Sequence, residues 1–381
     1  MIRSLIAKRI YTENGLIENG SVTVSDERIL RIGGDPAAAC IDFGNATIIP
    51  GLIDTHIHGG GGFDAMDATP EAICALAEHK AREGVTAFCP STVTTSLVKT
   101  KQALRAVMEA ARVNTKGARL LRTFCEGPYI SAAYKGAHPA EWIAPVSMEE
   151  IADLLDMAEG TIGSFALAPE KENANELISY LVSRGVQVRL GHSAATAEVA
   201  RNAVSLGANT YIHTYNAMSP LNHREPGMVG AALTDDRAYC ELIVDFVHVS
   251  KTAVEVVYRC KKPENIILIT DALMATGLPD GVYELGDLPV HVQNGVCRTE
   301  SGSLAGSTLR LLDAVKNMES LGIAFDVCVR MASANPAKAL GLYNETGSIT
   351  EGKLADITVL DEAHNVLFVM SGGRVLVDNR R

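Results

Sequence analysis

Two histidines two residues apart, at the end of a short apolar run, are the first residues in this chain whose types and spacing suggest chemistry. The run is Ile48 to Gly62, IIPGLIDTHIHGGGG. On a β-strand successive side chains point to opposite faces, so His56 and His58 project the same way and can grip one metal ion. The glycines that follow carry no side chains and leave room for a ligand to approach. A bare His-x-His is more often a solvated strand end than a ligand pair, so the idea requires more groups of the same kind elsewhere. Glu126 follows the run LLRTFC, His192 follows VQVRLG, His213 stands in TYIHTYNA and Asp271 closes NIILIT. Imidazoles and carboxylates are the ligands of catalytic zinc and related ions, and they also move protons near neutral pH. For an anion, the cations on offer are His223 and Arg224 in the loop NHREPG and His248 after CELIVDF. No Gly-x-x-x-x-Gly-Lys-Ser/Thr loop is present, so such side chains must do the work, and the planar fork of arginine suits phosphate.

These groups act together only if the fold gathers them. Residues 2–49 alternate short β-rich runs with the turn pairs Asn14-Gly15 and Asn19-Gly20, a hairpin pattern without helical period. From Gly51 the pattern changes to short apolar strands alternating with amphipathic segments of helical length, which predicts parallel β/α units. Thr69-Pro70 reads as a helix start, and Ser147-x-x-Glu150 reads as a capping box. Eight such strands are expected, ending with NIILITDA, which is the count of a (β/α)8 TIM barrel. Residues 278–300 read as an inserted β-hairpin with arms GVYEL and LPVHVQNGVCRT, and helices are expected over 307–321, 325–333 and 335–341. The tail from Gly347 is β-rich again. The expected fold is therefore an α/β barrel over residues 51–340, with a small β-sandwich domain formed by both chain ends, 1–50 and 341–381. In such barrels functional groups stand at the C-terminal ends of the strands. His56, His58, Glu126, His192, His213 and Asp271 all fall there.

Composition narrows the function further. The chain has 381 residues, 47% of them hydrophobic and 21% charged, enough to bury a large core. Asp plus Glu outnumber Lys plus Arg by 45 to 34, a net charge of −11, which argues against nucleic acid as a partner. No apolar stretch approaches the roughly 18 residues of a membrane span, and the charges in MIRSLIAKRIYTENG do not suit a signal peptide. No membrane partner and a cytoplasmic location are expected. The eight cysteines contain no Cys-x-x-Cys pair, so neither a zinc ribbon nor a disulfide framework is indicated.

Nearly the whole chain resembles the amidohydrolase superfamily of metal-dependent hydrolases, and in detail the N-acetylglucosamine-6-phosphate deacetylase family. The resemblance rests on PGLIDTHIHGG, EGPYI with KGAH, GHS at His192, HTYNAM at His213, REPG at Arg224 and ITDA at Asp271. That family places a glutamate on strand three where many superfamily members use a modified lysine on strand four. Glu126 fits, and strand four here ends in Ala168-Pro169-Glu170, without lysine. The resemblance implies that Glu126, His192 and His213 hold one divalent ion, and that His56, His58 and Asp271 help to hold a second, bridged by Glu126. One or two ions per chain are expected: zinc first, with iron, manganese or cobalt as alternatives. A bound ion lowers the pKa of its water from about 15.7 toward about 7, making hydroxide the nucleophile.

By resemblance Asp271 is the general base and then acid, and His138 in KGAH helps to polarise the amide oxygen. Arg224 and His248 are assigned to phosphate, with His223 a weaker candidate. Asn216 and Ala217 contact the sugar phosphate, and Gly306 in LAGST borders the acetyl pocket. The implied reaction is deacetylation of N-acetyl-D-glucosamine 6-phosphate to glucosamine 6-phosphate and acetate. The galactosamine epimer is an alternative, as is an amidohydrolase acting on a cyclic amide or nucleobase, which has no need of the phosphate pair. A non-catalytic scaffold is disfavoured because no ligand is missing. The family also forms dimers, which implies a homodimer in which Arg224 reaches the partner's site.

Overall fold

The computed structural model describes residues 2–113 and 116–380. Eight parallel strands hydrogen-bond in chain order: β1 (Leu52–Ile57), β2 (Val85–Thr92), β3 (Thr123–Glu126), β4 (Ile162–Leu167), β5 (Gln187–Leu190), β6 (Ala208–Tyr211), β7 (Tyr239–Ile243) and β8 (Ile266–Ile269). The helices between them are α1 (Pro70–Arg82), α2 (Leu97–Arg112), α3 (Met148–Met157), α4 (Ala174–Ser183), α5 (Ala197–Ser205), α6 (Gly227–Thr234) and α7 (Lys251–Cys260), with α8 (Leu311–Ser320) after β8. The barrel closes where Ile57 bridges Ala272 in parallel, Asp271 N–H donates to His56 C=O at 2.9 Å and His58 N–H donates to Ala272 C=O at 3.0 Å. The expected (β/α)8 barrel is present.

Local chemistry explains the helix starts. Thr69 accepts a hydrogen bond from Ala72 N–H ahead of Pro70, whose fixed φ and missing N–H suit the first helical position. Ser147 caps α3 by accepting from Glu150 N–H, and Ser250 caps α7 by accepting from Ala253 N–H. Each helix then turns its apolar stripe to the strands, as with Val254 and Val257 on α7, both fully buried. The inserted segment after β8 differs from the expected two-armed hairpin. It forms three antiparallel strands, Gly281–Leu285, Leu288–Gln293 and Val296–Thr299, because Asn294 and Gly295 both take positive φ and turn the second arm back on itself. The Asn-Gly pair carried that signal.

The β unit from both chain ends is one continuous eight-stranded sheet. Its halves join where Thr47–Pro50 pairs antiparallel with Ile357–Leu360, and its own core includes Leu5, Ile10, Val22, Ile48, Ile357, Val359 and Phe368. Asp356 ties this sheet to the barrel. Its buried carboxylate accepts from Arg119 Nη2 at 2.8 Å, Thr346 Oγ1 at 2.6 Å, Ser371 Oγ at 3.1 Å and Gly372 N–H at 2.8 Å. Removing that acceptor leaves several donors unpaired together, a loss of roughly 3 kcal/mol. Asp356→Ala is expected to lower the unfolding free energy read from urea titration by that amount, and an unchanged value would dismiss the tie.

Candidate active site

The barrel mouth is where the chain leaves its strands, and it does so in strained backbone. β5, β6 and β8 end at Leu190, Tyr211 and Ile269, before the groups expected on them. His192, His213 and Asp271 stand one turn of chain later with φ of 45°, 28° and 50°, a region that L-residues avoid. Tight neighbours enforce these paths. A Cβ at Gly191 would meet Ile212 at 2.2 Å, and one at Gly306 would meet Asp271 C=O at 2.8 Å, so glycine is required at both places.

The result is a convergence on one carboxylate. Glu126 Oε1 lies 3.2 Å from His192 Nε2 and 3.1 Å from His213 Nε2. Glu126 Oε2 lies 3.4 Å from His56 Nε2 and 3.1 Å from His58 Nε2, and these two nitrogens lie 3.5 and 3.2 Å from Asp271 Oδ1. Two nests of ligand atoms thus share Glu126: His56, His58 and Asp271 on one side, His192 and His213 on the other.

The far nitrogens of three rings settle their tautomers. Nδ1 of His192 faces Tyr134 C=O at 2.9 Å, Nδ1 of His213 faces Asn216 C=O at 3.1 Å, and Nδ1 of His56 faces Glu241 Oε2 at 3.2 Å. These acceptors hold the proton on Nδ1 and leave each Nε2 lone pair aimed into the cluster. Bare Nε2 atoms of His192 and His213 sit 3.1 Å apart against a carboxylate, and His56 Nε2 is buried without a hydrogen-bond partner among the described residues. Lone pairs crowded in this way repel unless a cation sits among them, so the residues fit one or two divalent ions.

Electrostatics follow the same division. Burial pushes the Glu126 carboxyl up, but His56 and the other imidazoles outweigh it and hold the group well below its ordinary value. Burial pushes His56 and His58 down, whereas the Glu126 and Asp271 carboxylates raise His56 well above its ordinary value and His58 to about 9. Asp271 is raised by burial and lowered by His56 and His58, with a net shift below the carboxylate range, so it is ionised. Burial and His192 push His138 down to about 3. Its Nδ1 accepts from Thr94 N–H at 3.3 Å, so the neutral ring carries its proton on Nε2, 3.8 Å from Glu126 Oε2, as a donor to the cluster.

A cavity of about 360 Å³ opens over this floor. His58, Glu126, His138, His192, His213, Asn216, Ala217, His248, Asp271 and Gly306 line it, so nearly all the residues singled out from the sequence meet there. His56 lies just behind, fully buried. His223 and Arg224 do not line the cavity. Both are exposed, and Arg224 makes no hydrogen bond or ion pair among the described residues. His248 donates from Nδ1 to Asp245 Oδ2 at 2.6 Å, which sets its ring at the wall.

Residues not singled out from the sequence also take part. Val93 and Leu285 form an apolar wall with Leu304 of the LAGST segment, and Tyr134 supplies the carbonyl behind His192. Beneath His56, Glu241 bonds to Arg189 at 2.7 Å. The two charged residues inside otherwise apolar strands, VQVRLG and CELIV, were the available sign.

The model of the Amidohydrolase family matches residues 47–376. The chain belongs to that family of metal-dependent hydrolases. It is 42% identical to an N-acetylgalactosamine-6-phosphate deacetylase of Escherichia coli O157:H7, covering 98% of this chain and 99% of that one. It is 39% identical to an N-acetylglucosamine-6-phosphate deacetylase of Vibrio furnissii, over 95% and 90% of the two chains. Its fold superposes, with a TM-score of 0.93, 33% identity and 99% coverage of both chains, on an N-acetyl-D-glucosamine-6-phosphate deacetylase variant from Mycobacterium smegmatis in complex with N-acetyl-D-glucosamine 6-phosphate. Within the amidohydrolases, the chain falls among the N-acetyl amino-sugar 6-phosphate deacetylases.

With Nε2 of His192 aimed at Glu126, His192→Ala is expected to remove the ion shared by Glu126, His192 and His213 and with it most turnover. Elemental analysis of the purified protein checks this: one to two divalent ions per chain in the parent and about one fewer in the variant. Equal metal content in both would take His192 out of the ligand set.

Proposed function

We propose that this chain hydrolyses the acetamide of N-acetyl-D-glucosamine 6-phosphate to glucosamine 6-phosphate and acetate. The observation that carries the reading is the floor of the cavity, where an ionised Asp271 and a neutral, Nε2-protonated His138 face the same Glu126 around which the imidazoles gather. Glu126, His192 and His213 would hold a divalent ion, and His56, His58 and Asp271 a second, which would supply an acidified water and positive charge for the developing oxyanion. Zinc suits the mixed imidazole and carboxylate set, and iron, manganese or cobalt are alternatives. Asp271, the most open of the acidic groups with its side chain 13% exposed, takes a proton from the attacking water and returns it to the departing amine. That return is essential, because an amine leaves readily only when protonated. His138 Nε2–H stabilises the negative charge that develops on the amide oxygen.

Asn216, Ala217 and Gly306 border the space left for the sugar and acetyl group, and His248 stands where a phosphate oxygen is within reach of the wall. Arg224, exposed on the long loop after β6, has no hydrogen-bond or ion-pair partner among the described residues. We take it to serve the cavity of a second copy, in a cytoplasmic homodimer, and His223 beside it to be at most an auxiliary contact. The same machinery suits the galactosamine epimer, and the 42% identity to a deacetylase of that sugar favours this second reading. Comparison of kcat/KM on the two N-acetylhexosamine 6-phosphates decides between them, and hydrolysis of neither would overturn both.

Two variants probe the mechanism. Asp271→Asn should keep most of the metal yet lower kcat by roughly 100-fold or more, the scale of lost general acid–base catalysis. A variant as fast as the parent would remove Asp271 from the proton transfers. Arg224→Ala should raise KM for the phosphorylated sugar about tenfold to a hundredfold and hardly alter turnover of the unphosphorylated one. Mixing Arg224→Ala with Asp271→Asn chains should then restore activity, because one site of the mixed dimer is intact. Heterodimers as inactive as their parents would return Arg224 to its own chain.

A further inference from the structure

Behind His56 the barrel interior carries a charged layer that the proposed chemistry leaves unused. Four side chains from alternate strands close a ring: His56 on β1, Phe124 on β3, Arg189 on β5 and Glu241 on β7. His56 Nδ1 lies 3.2 Å from Glu241 Oε2, and Glu241 Oε1 accepts from Arg189 Nη1 at 2.7 Å. The Arg189 guanidinium lies over the Phe124 ring, 4.4 Å from its centroid, and that ring meets His56 edge-on with centroids 4.7 Å apart. Thr55 completes the set, donating from Oγ1 to Glu241 Oε1 at 3.2 Å and offering its C=O to Arg189 at 3.0 Å. Every member is at least 98% buried. Layers inside such barrels are normally filled by branched aliphatic side chains. A buried Arg–Glu pair adds no stability over apolar residues of similar volume, so this one calls for a reason other than stability.

We infer that Glu241, oriented by Arg189 and Thr55, is the positioning residue that sets the affinity of the His56–His58–Asp271 nest for its divalent ion. The inference rests on the metal reading above. Glu241 Oε2 accepts the Nδ1 proton of His56, keeps the Nε2 lone pair on the cluster side and makes it a stronger donor to a cation. His58, the other imidazole of this nest, has no hydrogen-bond partner on Nδ1 among the described residues. The ordering of the nest therefore depends on Glu241. Its neighbour is built differently, because His192 and His213 lean on backbone carbonyls that side-chain substitution does not remove. The two nests can thus be separated by one change on β7.

Glu241→Gln makes that change with little loss of volume. Arg189 has only donors, so it holds the new amide with its oxygen toward the guanidinium and its NH2 toward His56. An NH2 facing Nδ1 moves the ring proton to Nε2, the atom required as ligand. The measurement is calorimetric zinc titration of metal-stripped protein in two backgrounds. His192→Ala leaves the His56–His58–Asp271 nest, and His58→Ala leaves the Glu126–His192–His213 nest. Adding Glu241→Gln is expected to weaken zinc binding 10- to 100-fold in the first background and less than twofold in the second. Equal losses in both, or none in the first, would overturn the inference. A wild-type chain that binds one ion and never a second would do so too, whereas one that binds none would instead overturn the metal reading. If Glu241→Gln does not fold, Thr55→Val withdraws a hydrogen bond from the same carboxylate and must still weaken zinc in the first background alone.

Discussion

Everything at the mouth of this barrel depends on the seam where the last strand meets the first. Asp271 N–H to His56 C=O and His58 N–H to Ala272 C=O are ordinary backbone hydrogen bonds. They join residues more than two hundred positions apart and bring a carboxylate just past β8 beside two imidazoles at the end of β1. Beneath the seam Asp54, fully buried on β1, accepts from Thr270 Oγ1 at 2.7 Å and lies 3.5 Å from Lys80 Nζ on α1. Lys80 is in turn held by Glu83 at 2.6 Å. A buried ammonium with two carboxylates loses much of its solvation, and the geometry compensates only while all three stay in place. The closure of the barrel and the placement of Asp271 are thus one structural event.

The rest of the site follows from how few conformations are left to the imidazoles. The Nδ1 atoms of His56, His192 and His213 are committed to carbonyls or a carboxylate, glycines admit backbone where a side chain would collide, and His192, His213 and Asp271 occupy left-handed backbone that the surrounding packing must sustain. Strain of this kind costs the fold something at each position. It is maintained because the same packing that enforces it also points the nitrogens inward, so binding geometry exists before any ligand arrives.

Much of this is legible in the sequence. A candidate ligand at a strand end can be read because strand pattern and residue type coincide: an apolar run, then histidine, aspartate or glutamate, with glycine or a small residue beside it. That is why Glu126, His192, His213 and Asp271 can be named before the fold is known. The strands themselves stop earlier than the apolar pattern suggests, because His192, His213 and Asp271 turn into positive φ, which no side-chain pattern announces. Leu285 is invisible as a cavity residue for another reason: it reaches the mouth from an insert whose docking is purely tertiary. Arg189 and Glu241 are the instructive omission. Each looks like an isolated blemish in an apolar strand, and only the barrel's layering shows that the two are partners.

The pairing of Thr47–Pro50 with Ile357–Leu360 has a bearing on how the chain reaches its native state. Some three hundred residues separate these strands, so Thr47–Pro50, which pairs on its other side with Arg9 and Ile10, cannot find this second neighbour until nearly all of the polypeptide has been synthesised. Loop closure over that span comes late and slowly compared with the local β/α units, which can assemble as they emerge. Meanwhile Thr47–Pro50, wholly apolar apart from its threonine, presents an unpaired edge, the kind of surface on which chains associate wrongly. The barrel is thus able to form while its neighbouring sheet is still half built, and the vulnerable interval in the life of this protein is the one before its last strands arrive.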